Sequence, residues 1–341
     1  MYEWLRQGLF SRTKQLETEA GTRPPAFRSC RVIAVTNQKG GSFKTGWTVC
    51  YARMFVDSAL TYEIYGRFPK VAVIGFDPSC ALEKAFGLDT HAIDRLQGAG
   101  MPAVLHHPDV DGISPLPASR IVQRFQNVHL YPATPLLALY DNEMEVMRAR
   151  YIALRRSGEQ EAAEKAVTTL HEMRLLLKRF VDAIRDQYDR VVIDCRPGDG
   201  QAILAALLAA DWVHIPTLLS DASVAQARRR AALVNQVKEQ LNSELETMAV
   251  IPTNLHKGNA QQRNWLHELS RKPTTDAKAD LSQAVVPPIW YNRSMDRIVE
   301  NAQTRLYKEA LQSIVGATFK AVIEREQLYS SSTDAVSELA H

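Results

Sequence analysis

Apolar residues in this chain run in short, nearly unbroken blocks. Longer stretches separate them, in which apolar positions recur every third or fourth residue. The blocks RVIAVT (31–36), KVAVIGF (70–76), NVHLYPA (127–133), DRVVIDC (189–195), WVHIPT (212–217), TMAVIPT (247–253) and AVVPPI (284–289) are rich in β-branched residues. Each is predicted to be a strand buried on both faces. Residues 44–57, 201–210 and 303–327 carry helical spacing. The longest helical stretch is 138–187, where EAAEKAVTTLHEMRLLLKRFVDAIRDQ sets apolar positions on one face and charges on the other. This alternation predicts an α/β fold, a mostly parallel sheet with helices on both faces. A ligand of such a sheet lies outside the carboxyl ends of its strands. The Pro- and Gly-rich stretch 87–127 gives no usable pattern. Residues 1–30 read as an N-terminal extension with a short amphipathic helix (Trp4, Leu5, Leu9, Phe10), 31–327 as the main domain, and 328–341 as a polar, frayed tail.

Composition narrows the function classes. The chain has 341 residues, 45% hydrophobic and 23% charged, enough to bury a sizeable core without staples. Lys and Arg number 41 against 38 Asp and Glu, for a net charge of +3. Any nucleic-acid surface must therefore be a local basic patch. No apolar run approaches the roughly 18 residues of a membrane span. The N-terminus lacks the pattern of a secretory signal. Cys30, Cys50, Cys80 and Cys195 are scattered, without a CxxC pair. That argues against a zinc site or a disulfide framework and fits a reducing cytoplasm.

The chemistry concentrates in VTNQKGGSFKTG (35–46), between a predicted strand and a predicted helix. Glycines there let backbone N–H groups turn inward, and the following helix presents its positive end. Lys44 is placed to reach β- and γ-phosphates, and the Thr45 hydroxyl to ligate Mg²⁺. The general pattern G-x-x-x-x-G-K-[ST] is not met, because Phe43 precedes Lys44. Taken alone, the loop reads equally as a Gly turn joining a strand to a helix.

Lys39-Gly40-Gly41 followed by Lys44-Thr45 resembles the deviant Walker A loop of the ParA/MinD family, K-G-G-x-G-K-[ST]. Further segments resemble that family in order: VAVIGFDPSCALEKAFGL (71–88), YDRVVIDCRPGDGQAILAALLAADWVHIPT (188–217), AVIPTN (249–254) and VVPPIWYNRSMDRIVENAQ (285–303). The resemblance implies a P-loop NTPase-type fold that binds ATP with Mg²⁺. Lys39, Gly40, Gly41, Ser42, Phe43, Lys44, Thr45 and Gly46 would form the phosphate loop, and Thr253, Asn254 and Pro287 would flank the nucleotide. Thr45, Asp77 and Asp194 would serve the magnesium, with Asp77 also directing the attacking water. Lys39 would reach across a homodimer to the partner's phosphates. This sequence departs from the family at Phe43 (a glycine), at Gly46 (commonly Ser or Thr) and at Gly75 (often an acid).

The implied activity is a weak ATPase that dimerises on ATP, binds DNA nonspecifically and segregates or positions a DNA or protein cargo. It would work in the cytoplasm on the nucleoid, with a ParB-like or other partner stimulating hydrolysis. Arg228, Arg229, Arg230, Lys257, Arg263 and Arg293, with Arg297, are the candidate DNA contacts. Residues 315–327 make a poor membrane anchor, so no membrane is expected. Trp265 and Trp290 read as core residues, and 138–187 as a surface for cargo or partner. Two other readings stand beside this one. Phe43 could disable the loop and leave a nucleotide-insensitive scaffold or regulator, or the fold could serve a dethiobiotin-synthetase-like ligase.

Overall fold

The computed structural model describes residues 30–89, 91–92, 101, 105, 116–117, 127–272, 280–291 and 306–338. The strands are β1 (Arg31–Val35), β2 (Val71–Phe76), β3 (Leu116–Pro117), β4 (Val128–Tyr131), β5 (Arg190–Cys195), β6 (Trp212–Leu218) and β7 (Glu246–Thr253). They form one sheet in the order β3-β4-β2-β5-β1-β6-β7, parallel except for the short edge strand β3. The helices are α1 (Lys44–Asp57), α2 (Ala59–Tyr65), α3 (Ala81–Ala85), α4 (Leu137–Ser157), α5 (Gln160–Ile184), α6 (Gln201–Ala209), α7 (Asp221–Gln240), α8 (Ala260–Ser270) and α9 (Leu306–Glu338).

The strand centres are sealed on both faces, as their unbroken apolar sequences require. Register decides where chemistry can occur. Val35 of β1 and Gly75 of β2 both pair with Asp194 of β5. The exits of three neighbouring strands therefore meet at one level.

The structure differs from the sequence expectations in several places. Residues 284–289 do not form a strand and make only isolated bridges, Val250 with Val285 and Leu255 with Trp290. Pro287 and Pro288 carry no N–H to sustain a ladder. The stretch 138–187 is two helices, divided where Gly158 takes the left-handed conformation (φ 82°) that closes α4. The sequence pattern does not mark helices α2, α3 and α8; Ser58 starts α2 by accepting the Leu60 N–H on its hydroxyl. Helix α9 continues past 327 through the expected polar tail to Glu338. Residues 1–29 and 292–305 lie outside the described residues.

A fully buried polar cluster fastens α9 to the body. Glu326 pairs with Arg190 of β5 at 3.0 Å and accepts the Tyr51 hydroxyl of α1 at 2.8 Å. His214 of β6 lies 3.6 Å from the same carboxylate and accepts the Trp47 indole N–H at 3.1 Å. Arg190 holds the Glu326 carboxyl below its usual range despite burial, which pushes the other way.

Candidate phosphate and magnesium site

The loop between β1 and α1 is anchored from below. The Thr36 N–H donates to the His214 carbonyl, and the Asn37 side chain donates to the Pro216 carbonyl at 2.8 Å. Above these anchors the loop is open. A Cβ at Gly40 or Gly41 would meet nothing within 4 Å, and Gly41 is left-handed (φ 72°). Helix α1 begins without a side-chain cap and without an acid in its first turn. Its first N–H groups and positive dipole end are thus free to meet an anion.

Lys44, Thr45 and Asp194 come together beneath this loop. The Thr45 hydroxyl donates to Asp194 Oδ2 at 2.8 Å, and Thr48 reaches Oδ1 at 3.3 Å. Lys44 is buried, and its Nζ donates to the Lys39 carbonyl at 3.0 Å, beside the Ser42 hydroxyl, which bonds the same oxygen. Burial lowers the affinity of Lys44 for its proton, while Asp194 and Asp77 oppose that shift. Burial pushes Asp194 up to about 7; Asp77 adds to the rise, and Thr45 and Lys44 resist it. Burial holds both groups away from their solution behaviour. A phosphate for the lysine and a divalent cation beside the carboxylate would each counter that effect, so the donor set fits Mg²⁺ with a nucleotide. Asp77, half-buried just beyond β2, accepts the Ser79 N–H at 2.9 Å.

Phe43 is left-handed (φ 69°), the conformation a glycine would adopt without strain. Its ring folds back onto the first turn of α1, with three ring carbons 2.2–2.7 Å from where a Gly46 Cβ would stand. It packs against the hydrophobic core and does not approach the Gly40–Gly41 crest. The departures at 43 and 46 are thus a single packing arrangement.

Several residues that the motif did not mark join this centre. Gln38 donates to Asp199, and the Gly198 N–H donates to the Gln38 carbonyl at 3.1 Å. Asp199 also pairs with Arg230 at 2.8 Å. The turn after β5 is therefore tied to the phosphate loop. Asp141 of α4 pairs with Arg196 in the same turn and accepts the Ala202 N–H at 3.2 Å. Glu83 lies over Gly75 with its carboxyl pushed up to about 8, chiefly by burial. No motif carries these contacts; an acid or an Arg in a helix reads as solvated until the fold is known.

The basic candidates divide. Arg229, Lys257 and Arg263 are exposed, and Arg228 is half-exposed, donating to the Glu268 carbonyl at 2.6 Å. Arg230 corrects the expectation of a DNA contact: it is fully buried and holds Asp199 and the Gly198 carbonyl. The charge run 228–230 straddles a helix, and 230 falls on its inner face. Arg293 and Arg297 lie outside the described residues. Thr253 is buried and bonds the Thr217 carbonyl, Asn254 is left-handed (φ 60°), and the Pro287 carbonyl accepts the Thr318 hydroxyl. Trp265 is partly buried, whereas Trp290 is 44% exposed, against the expectation of a core residue. No helix among the described residues is long and apolar enough to cross a membrane.

A family model described as an AAA domain matches residues 30–247. An uncharacterised protein of Mycobacterium tuberculosis is 25% identical over 233 residues, covering 67% of this chain and 61% of that protein. The chain thus spans less than two thirds of that relative's length. The sporulation initiation inhibitor protein Soj of Bacillus subtilis is 26% identical over 225 residues, 66% of this chain and 73% of Soj. A Cyanothece McdA variant solved with ATP superposes with a TM-score of 0.63 at 16% identity, covering 88% of this chain and 97% of that one.

Proposed function

The chain belongs to the ParA/MinD-like family of AAA-domain proteins, and from that premise we propose that it is an ATPase that dimerises on ATP, binds DNA without reading its sequence, and segregates or positions a DNA or protein cargo. One observation carries this reading: Lys44, Thr45 and Asp194 converge under an open phosphate loop while the Phe43 ring lies over Gly46.

Lys44 exchanges the neutral Lys39 carbonyl for phosphate oxygens, a stronger charge-assisted bond. Thr45 and Asp194 would hold the Mg²⁺. The chemistry such an ion would supply there is neutralisation of charge on the phosphates. Asp77 orients a water whose oxygen bonds to the γ-phosphorus as the bond to ADP breaks, giving ADP and phosphate. Lys39 reaches the partner's phosphates across the dimer. Hydrolysis removes the contacts that favour the dimer, and the subunits part.

The exposed cations Arg229, Lys257 and Arg263, with Arg228, lie on α7, on α8 and in the loop between β7 and α8. They supply phosphate contacts, which position without specifying sequence. The pair α4–α5 offers a face for a ParB-like or other stimulating partner, with Leu139 and Val146 exposed on α4. The protein would act in the cytoplasm on the nucleoid.

Calorimetry with Mg²⁺ and ATP on the wild type and on Phe43→Gly, with sedimentation of Lys44→Ala, tests the proposal. The wild type should bind ATP and dimerise, and Lys44→Ala should do neither. Binding only by Phe43→Gly would hand the protein to the scaffold reading. A Lys44→Ala dimer unchanged by the mutation would remove the role given to Lys44.

A further inference from the structure

Gly75 has no side chain, yet the space above it is filled. A Cβ there would stand 2.0 Å from Glu83 Oε1 and 2.7 Å from the Ala133 nitrogen. Glu83 comes from α3, which follows directly on the 77–80 turn, and is fully buried. Its Oε1 accepts the Ala133 N–H at 2.6 Å, and the Cys80 thiol donates to the Ala133 carbonyl at 3.7 Å. Both polar backbone groups of Ala133 are thereby claimed by the 80–83 segment. Strands β2 and β4 pair as far as Ile74 with Tyr131. Beyond that point this double contact holds their exits together. On its other side Gly75 pairs with Asp194.

Asp77 begins the segment so clamped. The Cys80 N–H bonds the Asp77 carbonyl at 3.1 Å, and the Ser79 N–H bonds its carboxylate. From this geometry we propose that Glu83 is a positioning residue for ATP hydrolysis: through Ala133 it fixes the turn that aims Asp77, and Gly75 is bare because Glu83 and the Ala133 backbone fill the room. The inference rests on the ATPase reading above.

The role asks for a hydrogen-bond acceptor at Oε1, which a glutamine supplies and an alanine does not. Glu83→Ala should therefore lower kcat by roughly tenfold to a hundredfold, the size of effect that misplacing a reacting group produces. Its affinity for Mg²⁺-ATP should stay within about twofold, because the loss falls on the transition state alone. Glu83→Gln should turn over within about threefold of wild type, as expected where the hydrogen bond and not the charge matters. Gly75→Ala keeps Glu83 but crowds both its carboxylate and the Ala133 nitrogen, so it should lower kcat likewise. It also serves as the test should Glu83→Ala fail to fold.

An unchanged kcat in Glu83→Ala would overturn the proposal, as would a Glu83→Gln enzyme as slow as the alanine variant. Hydrogen exchange of the Ala133 amide, read without nucleotide, separates the two levels. Protection in wild type and Glu83→Gln but not in Glu83→Ala supports the clamp; equal exchange in all three overturns it. A wild type that hydrolyses no ATP would defeat the ATPase reading, and the positioning role with it, even with the amide protected.

Discussion

A Cβ placed on Gly46 would stand 2.2 Å from a ring carbon of Phe43, closer than non-bonded carbons approach. In an ordinary helix interior, alanine for glycine stabilises by up to about 1 kcal/mol. Here it must push the ring off the helix, and overpacking of this kind costs about 1–3 kcal/mol. Gly46→Ala should therefore destabilise the wild type, yet stabilise the Phe43→Gly variant, where the ring is gone. Urea unfolding of the two single variants and the double variant measures the coupling. Additivity within about 0.5 kcal/mol would mean that the two positions do not share one space. The same residues explain what a motif search misses. It scores Phe43 and Gly46 as separate faults, because a pattern of letters does not record that one side chain occupies the space the other leaves. Gly75 and Glu83 repeat the case across a turn.

Arg174 of α5 donates to Gln201 at the start of α6 at 2.9 Å, and a buried histidine three residues before that arginine makes this part of the molecule acid-sensitive. His171 of α5 is 1% exposed, and neither ring nitrogen has a hydrogen-bond partner. Burial lowers its pKa to about 4; Arg174 and Arg179 add to the effect and Glu172 opposes it. A histidine depressed in the folded state binds fewer protons there than in the unfolded chain. Its contribution to stability is complete above the unfolded value of about 6.5 and is lost as pH falls toward about 4. The loss is on the order of 3 kcal/mol for a shift of this size. His171→Leu should flatten the fall in stability between pH 7 and pH 4.5, measured by urea unfolding at each pH. A slope equal to wild type would clear His171. At this scale the sequence was highly legible for buried parallel strands, whose unbroken apolar runs admit few other structures. It was less so where proline spoiled a ladder at 284–289, and where a glycine divided one helical pattern at 158. Both failures have local causes that window-averaged periodicity smooths over.

At the scale of the molecule, the sheet brings Val35, Gly75 and Asp194 to one level and sets the phosphate loop beside the turn 196–200. That turn reaches α4 through Arg196 with Asp141, and α7 through Asp199 with Arg230. The site is thus wired to both the proposed partner face and the helix proposed to meet DNA. Two neighbouring arginines of α7 consequently have different work, which sequence alone does not divide because a run of three arginines does not show which one faces the core. Arg229 is exposed, whereas Arg230 is buried with its charge matched by Asp199. Arg229→Ala and Lys257→Ala should leave unfolding unchanged and weaken duplex binding alike for any sequence. Each should also lower the slope of log affinity against log salt by about 0.9, the share of one phosphate contact. Arg230→Ala removes a buried guanidinium from its pair with half-buried Asp199 and should cost about 1.5–3 kcal/mol of stability. It should leave that slope unchanged in whatever protein still folds. Fluorescence anisotropy of a labelled duplex over a salt series, paired with urea unfolding, reads both quantities. A salt slope lowered by Arg230→Ala but untouched by Arg229→Ala would reverse the assignment and move the DNA surface off this face of α7.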